Sequence, residues 1–379
     1  MEMETKYLIH ENQIDKNCRD IKNAFCRMKF RPSYSVKTNH VPAIVNRFHE
    51  NGFLTEVVSD MEVDIARSQG IEMKDIVYNG PIKGPEAYDV AAGGGVLCFD
   101  SMDDLLFREY PKGTRCMFRV AINIDNGVNT RFGTDPSKIP EEIIKASVLG
   151  YDTIGIHCHV TRGRDIRSWR QRISGMLPVY REVRNMLSEK VVDFGGNMYS
   201  PMPHEQISKM YDDYASYEDY ASLFEQYSSE FDGATLSLEM GTSVVANCMD
   251  FRTSVIGVKH CGNDTFVLLD ACRYNLGWAS DRYNFPITIL SSGYASETVK
   301  NATFVGRLCT ENDVLYRGYE GKIGKGDVVS FENVGAYTVS VKPPFIIPQF
   351  PIFYVQNDGE IHECKRQERA QDILTTYMY

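Results

Sequence analysis

The chain has no long basic run. Its 41 lysines and arginines are outnumbered by 51 acidic residues, for a formal net charge of -10. An acidic chain without clustered cations has no electrostatic footprint for nucleic acid or an anionic membrane, so a small molecule is the expected partner. Long apolar stretches are missing as well: nowhere do about 18 uninterrupted apolar residues occur, and the opening MEMETKYLIHENQIDK has no apolar signal core. A soluble, cytoplasmic protein is expected. The sequence also lacks any C-x-x-C pair; its ten cysteines are scattered singly, most in apolar stretches such as VLCFD and GIHCHV. There a free thiol packs as a small hydrophobe, which fits a reducing compartment and argues against a disulfide framework. No metal site is expected.

What is present suits a folded protein of two domains. Hydrophobic residues make up 43% of the 379 positions and aromatics 11%, enough for a core in a chain longer than one core usually supports. There is no fixed-period repeat and no low-complexity linker, so the boundary must be read from a change of pattern. From about residue 32 to 241, eight short apolar runs alternate with helical periodicity: SYSVK, FLTEVVS, DIVYNG, GVLCFDS, CMFRVAIN, TIGIHCHV, VVDFGG and ATLSLEMG. Repeated βα units of this kind predict an α/β fold, a (β/α)8 TIM-type barrel, with an open doubly wound sheet as the competing reading. After about residue 250 the runs VIGVKHCGNDTFVLLDACRYN, ATFVGRL, GDVVSFENVGAYTVSV and FPIFYVQNDGEIHEC read as strands with little helix. The expected organisation is an N-terminal segment (1–30) packing on the β domain, a barrel (31–250) and a C-terminal β domain (251–379).

In a barrel of this type, functional side chains sit at the C-terminal ends of strands. Lys37 ends the first run, His157 and His159 close the sixth, Gly195 and Gly196 the seventh, and Glu239 lies near the end of the eighth. Taken alone, Lys37 reads as an ordinary surface lysine. It follows a strand that a parallel sheet buries on both faces, however, and a desolvated lysine has a lowered pKa and can form an imine with an aldehyde cofactor.

These residues fall in motifs that resemble the alanine-racemase-like (fold type III) pyridoxal 5'-phosphate decarboxylases, in particular diaminopimelate and ornithine decarboxylases. The family's Y-x-V-K-x-N is matched by Tyr34 to Asn39 around Lys37, and its D-V-V-S-x-x-E by Glu56 to Glu62. S-K-F-G is echoed at Thr130–Gly133, H-C-H-I at His157–Val160, and D-x-G-G-G at Asp193–Asn197. E-P-G-R corresponds to Glu239–Thr242, G-P-L-C to Gly306–Cys309, and G-A-Y to Gly335–Tyr337. All occur in family order across nearly the whole chain.

The resemblance implies a role for each position. Lys37 would hold the cofactor as a Schiff base. Gly195 and Gly196 would bring backbone N–H groups to its phosphate, although on pattern alone they read as a strand-to-helix turn. Tyr337, otherwise a packing tyrosine, would add a phosphate hydrogen bond. Glu239 would face the pyridine nitrogen and keep it protonated, so that the ring accepts the electron pair left when CO2 departs; racemases of the same fold place an arginine there. His159 would stack on the ring, while His157 could be a satisfied core histidine. Cys309, otherwise an inert thiol, would reach the site of a neighbouring subunit and deliver the proton after CO2 loss, which implies a homodimer with shared sites.

The departures fall at the far end of the substrate. Thr242 stands where the family has arginine, Asn197 replaces a third glycine, and Thr310 follows Cys309 where the family has Asp or Glu, with Glu311 one place late. Asp270 and Arg273 are further candidates for contacting the distal group; Arg131 and Arg162 are available cations that read equally as surface charges. The run Asn79-Gly80-Pro81 with Lys83 resembles branches that serve antibiotic or siderophore pathways, some acting on conjugated or carrier-bound amino acids. The expected activity is α-decarboxylation of an amino acid or amino-acid conjugate other than diaminopimelate or ornithine. The alternatives are a racemase or epimerase of the same fold and a non-catalytic pyridoxal-phosphate-binding homologue.

Overall fold

A computed structural model describes residues 5–125, 127–202, 212–281 and 283–378. They fall into two compact units, one built on residues 15–201 and 212–244, the other on residues 5–14 and 245–378. Strand β1 (Lys6–His10) belongs to the second unit; the helix that follows, α1 (Glu11–Ala24), leads into the first.

The first unit is a closed barrel of eight parallel strands, which removes the open doubly wound alternative. The strands are β2 (Phe30–Ser35), β3 (Leu54–Val57), β4 (Ile76–Tyr78), β5 (Val96–Phe99), β6 (Arg115–Arg119), β7 (Asp152–His157), β8 (Val191–Asp193) and β9 (Thr235–Met240). All eight apolar runs become strands, and every one stops before its run does. The residues past each ladder turn over the barrel mouth, where burial in loops keeps them apolar without sheet hydrogen bonds. Lys37 consequently lies in a 3-10 turn, Val36–Thr38, just beyond β2. The helices on the outer face include α2 (Pro42–Glu50), α3 (Asp60–Ser68), α4 (Ala87–Ala92), α5 (Met102–Phe107), α6 (Ile139–Leu149), α7 (Ile166–Val183) and α8 (Tyr217–Glu225). None of the described helices is long and apolar enough to cross a membrane.

Side chains alternate along a strand, so residues two apart share a face. The apolar plug inside the barrel contains Val77, Cys98, Met117 and Val191, with Leu54 packed against it. Two positions on along each strand stand Asn79, Asp100, Arg119, Asp193 and Glu56. The inward rows therefore change from apolar to polar at one level, and that level is the floor of the candidate site.

The second unit is a nine-stranded sheet. Its long path runs β14 (Val314–Ile323), β13 (Glu297–Val305), β11 (Asp264–Leu269), β10 (Met249–Cys261), β1, β16 (Ile352–Val355) and β17 (Ile361–Lys365), with β15 (Val328–Phe331) on β10 and β12 (Ile287–Leu290) on β15. Strand β1 pairs antiparallel with β10 and parallel with β16. One expectation changes here. The run GDVVSFENVGAYTVSV is strand only through Phe331, and Tyr337 lies beyond it with φ +53°, a left-handed conformation uncommon for a bulky residue.

Glu142 on α6 is buried and accepts a hydrogen bond from Thr134 Oγ1 at 2.8 Å. Burial pushes its carboxyl up to about 7, against the Thr134 bond and with the help of Asp100's charge. A folded-state pKa above the unfolded one contributes stability that is full at acid pH and lost as pH rises through about 7. Glu142→Gln should flatten that slope. The melting-temperature difference, variant minus wild type, should be more positive at pH 8 than at pH 5; equal differences would remove this carboxyl as the titrating group.

Candidate active site

Lys37 Nζ donates to both oxygens of Glu56, at 2.8 and 2.5 Å. Its side chain keeps about a third of its exposure, whereas Glu56 is 1% exposed. Pairing of β2 with β3 sets Ser35 beside Glu56, and pairing of β2 with β9 sets Ser33 beside Glu239. The strand carrying Lys37 is thus flanked by the two carboxylates. Glu239 Oε1 lies 3.1 Å from His157 Nε2, and Oε2 lies 3.9 Å from His159 Nδ1. Asn79 Nδ2 donates to Glu56 Oε1 at 3.1 Å and also to Glu239 Oε1.

Burial alone would raise the pKa of Glu239, but His157, Lys37 and His159 outweigh it and hold the carboxyl well below the usual range. On His157 burial opposes the charge; Cys98 and Glu239 overcome it and raise the imidazole well above its ordinary value. His159 goes the other way, its pKa lowered by burial despite Glu239. Neutral His159 accepts from the Gly196 N–H at Nδ1, 3.2 Å, which assigns its proton to Nε2. Asp193, pushed up to about 6 by burial and by the charge of Glu239, accepts from the Gly195 N–H and from Ser237 Oγ, each at 2.8 Å. His157, Asp193 and Glu239 bring ligand-type atoms within 4.8 Å of one another.

The glycines act here through missing side chains. A Cβ on Gly195 would stand 2.6 Å from His159 Nδ1 and 2.7 Å from the Cys158 carbonyl oxygen, and φ there is +64°. A Cβ on Gly196 would meet the Glu239 carbonyl oxygen at 2.3 Å. The expected N–H donors for a phosphate are already engaged within the chain, so what the pair offers is room and a fixed loop path. Asn197 takes φ +80° and ties the β8 loop to the β7 loop, donating to Val160 O at 3.2 Å and accepting from Arg164 Nε at 3.0 Å. Below this loop, fully buried Arg172 donates to the carbonyls of Phe194 (2.9 Å), Gly196 (2.7 Å) and Val160 (3.2 Å), its guanidinium 3.9 Å from the Trp169 ring centroid.

Lys37, His159, Gly195, Gly196 and Glu239 are therefore gathered at one barrel mouth. The remaining candidates lie in the β unit, and Asp313 organises part of them. Its carboxylate accepts from the N–H of Arg273 and of Leu308, both at 2.7 Å, which sets Arg273 beside the turn carrying Cys309, Thr310 and Glu311. Cys309, Thr310 and Glu311 are exposed. Asp270 is paired with Arg307 Nη1 at 2.5 Å, and the Tyr337 carbonyl lies against Gly277, where a Cβ would stand 1.9 Å away. Beside His159 is a cavity of about 260 Å³ lined by Ile122, Ile124, Val128, Phe132 and Val160 together with the polar Asn129, Thr130 and Thr161 and with Arg131, which stacks on Phe132; Arg162 is exposed.

Sequence reasoning gave no role to Glu56, Asn79 or Arg172. Glu56 carried a signal, an acid inside the apolar run FLTEVVS. Asn79 stood out only as the first residue of the run Asn79-Gly80-Pro81, with no role in the site, and Arg172 carried no signal, because helix arginines are ordinarily solvated.

An amine-bearing lysine beside a buried, ionised carboxylate, a neutral histidine and a side-chain-free loop is a donor set that fits an aldehyde cofactor with a basic ring nitrogen and a phosphate. Residues 11–246 match the family described as pyridoxal-dependent decarboxylase, pyridoxal binding domain. The chain belongs to this family of pyridoxal 5'-phosphate-dependent carboxy-lyases, with the alanine-racemase-like fold. Among individual proteins it is similar to the diaminopimelate decarboxylase of Methanothermobacter thermautotrophicus, 24% identical over 97% of this chain and 90% of that one. It is equally similar, at 24%, to the L-glutamyl-[BtrI acyl-carrier protein] decarboxylase of Niallia circulans, over 91% of this chain and 87% of the relative. The crystal structure of diaminopimelate decarboxylase from Helicobacter pylori complexed with L-lysine shares the fold, with a TM-score of 0.87, 20% identity, and 98% and 96% of the two chains covered.

Arg172→Met would leave the buried carbonyls of Phe194 and Gly196 without their donor, and that of Val160 with Asn197 Nδ2 alone. The expected cost is roughly 2–4 kcal/mol, measured by chemical denaturation; a variant as stable as wild type would show that the loop holds its path unaided.

Proposed function

We propose that this chain removes the α-carboxylate of an amino acid whose far end is not the charged terminus of diaminopimelate or ornithine. Free or carrier-conjugated, the substrate would belong to a specialised pathway of the antibiotic or siderophore type. The observation that carries the reaction is Glu239, a buried carboxylate held ionised within reach of Lys37 and His159. Bound pyridoxal phosphate supplies an electron-accepting ring, the chemistry that no side chain provides. Lys37 Nζ is the residue to hold it, and Glu56 balances the lysine's charge. Glu239 would keep a proton on the ring nitrogen, and neutral His159 would pack against the ring without competing for that proton. An anion at this position favours decarboxylation over racemisation or epimerisation, and retention of Lys37, His159 and Glu239 together disfavours a non-catalytic homologue.

Specificity rests on weaker supports. Thr242 and Thr310 remove the family's arginine and acid. The cavity beside His159 combines apolar walls with the polar side chains of Asn129, Thr130 and Thr161 and the cation Arg131, and one relative acts on an L-glutamyl group carried by an acyl-carrier protein. Asp270, Arg273, Thr310 and Glu311 are proposed to meet the distal group. Tyr337 is proposed to bind the cofactor phosphate, and Cys309 of the partner subunit to supply the proton to Cα in a cytoplasmic homodimer.

Purified protein should show a visible absorption band that Lys37→Ala lacks, with CO2 release lost in parallel; a colourless protein indifferent to added pyridoxal phosphate would sink the assignment. Co-expressed Lys37→Ala and Cys309→Ala chains should recover roughly a quarter of wild-type turnover, since half of random dimers hold one intact shared site. No recovery would argue for sites completed within one subunit.

In a substrate panel, kcat/KM for a γ-thioester of L-glutamate should exceed that for meso-diaminopimelate and L-ornithine by about tenfold or more. The reverse order would reinstate a typical diamine-precursor decarboxylase. Deuterium entering Cα of recovered substrate without CO2 release would favour racemisation.

A further inference from the structure

Asn79 follows β4 directly, and its backbone N–H donates to Val57 O of β3 at 2.8 Å. This bond sets the residue at the level of Glu56 and turns its side chain into the barrel mouth, where it is 4% exposed. Its amide nitrogen lies between the two carboxylates, donating to one oxygen of each. The same Glu56 oxygen accepts from Lys37 Nζ, and the same Glu239 oxygen faces His157. Reversing the amide would aim its oxygen at two acceptors, so the carboxylates themselves dictate which end points inward. Asn79 Oδ1 has no hydrogen-bond partner among the described residues; the side chain acts through its nitrogen.

The loop behind Asn79 is anchored. Lys83, buried with Asp104, donates to Gly80 O at 2.8 Å and to Asp104 Oδ2 at 2.6 Å. Asp104 Oδ2 also accepts from the Asp100 N–H at 3.1 Å. Removing either partner of a buried ion pair is costly, so the pair holds the turn after β4 in one path. That path places the Asn79 amide between β3 and β9.

We infer that Asn79 is a positioning residue, an uncharged bridge that holds Glu56 and Glu239 at a fixed spacing around Lys37. Two carboxylates sharing a dry site repel each other, and ordinarily one of them takes up a proton. A cation between them would cancel the field that each exerts on its own partner. An amide satisfies one lone pair on each and adds no charge. Glu56 stays committed to the lysine and Glu239 to the ring nitrogen expected beside it. The titratable groups in electrostatic reach of the bridge are Lys37, Glu56, Glu62, His157, His159, Asp193 and Glu239. This inference rests on Lys37 being the cofactor lysine.

The test is a pH titration of the visible band in wild-type and Asn79→Ala protein loaded with pyridoxal phosphate. Without the amide donor, two less-screened carboxylates face the Lys37 nitrogen and stabilise its protonated form. The midpoint of the band should therefore rise by about half a pH unit or more. Steady-state kcat should fall about tenfold with KM within about twofold, since the amide touches neither substrate nor reacting atoms. A midpoint within about 0.2 unit of wild type overturns the inference, and so does a lowered melting temperature with no change in midpoint. Should the alanine variant not fold, Asn79→Ser, whose shorter donor cannot span both carboxylates, is judged by the same criterion. A wild-type protein with no band would overturn the cofactor reading itself, an outcome distinct from an unmoved midpoint.

Discussion

Glu56 and Glu239 are two acids taken out of water on neighbouring sides of one strand, and the arrangement of the barrel mouth follows from giving each of them partners. Burial of an ionised carboxylate is costly unless it is paired and hydrogen-bonded. Each has therefore acquired a cation, Lys37 for one and His157 for the other, and they share the Asn79 amide. The partners come from the ends of β2, β3, β4, β7 and β9, so the requirement could be met only on a closed ring of strands. The aliphatic plug two residues below each polar position withholds water from beneath.

The same economy of charge explains the second ring of contacts. Arg172 satisfies backbone carbonyls of the β7 and β8 loops from below, fixing the path on which Gly195 and Gly196 leave no room for side chains. His159, neutral and locked by the Gly196 amide, is then held in one orientation. Loop geometry, imidazole tautomer and carboxylate ionisation are three aspects of one network, and a change in any of them reaches the others.

The barrel was largely legible from sequence, because eight buried parallel strands separated by helical periodicity leave a strong pattern. Strand ends were less so: the apolar character of runs such as TIGIHCHV persists into buried loops, and nothing in residue type marks where ladder bonds cease. The residues that the structure gathers at the barrel mouth, Lys37, His159, Gly195, Gly196 and Glu239, stood out in ordered motifs. The contacts of Asn79 and Arg172 did not, since their burial results from tertiary packing with no local signature. In the β unit, GAYTVSV has the composition of a strand, yet the left-handed backbone at Tyr337 breaks it. Its carbonyl lies against Gly277, a contact between residues distant in sequence that no local pattern reveals.

Strand β1 has a consequence for how the chain is made. The residues it pairs with, in β10 and β16, lie more than two hundred positions further on, while the barrel strands all fall within one continuous stretch ending before residue 245. On the ribosome the barrel can close as soon as β9 emerges. Strand β1 stays unpaired until β10 follows the barrel, and its other edge stays open until β16, the last strand but one; long-range pairings of this kind form slowly and expose the chain to misassembly. Residues 6–10 thus have a long exposure to chaperones and proteases before both of their edges are covered.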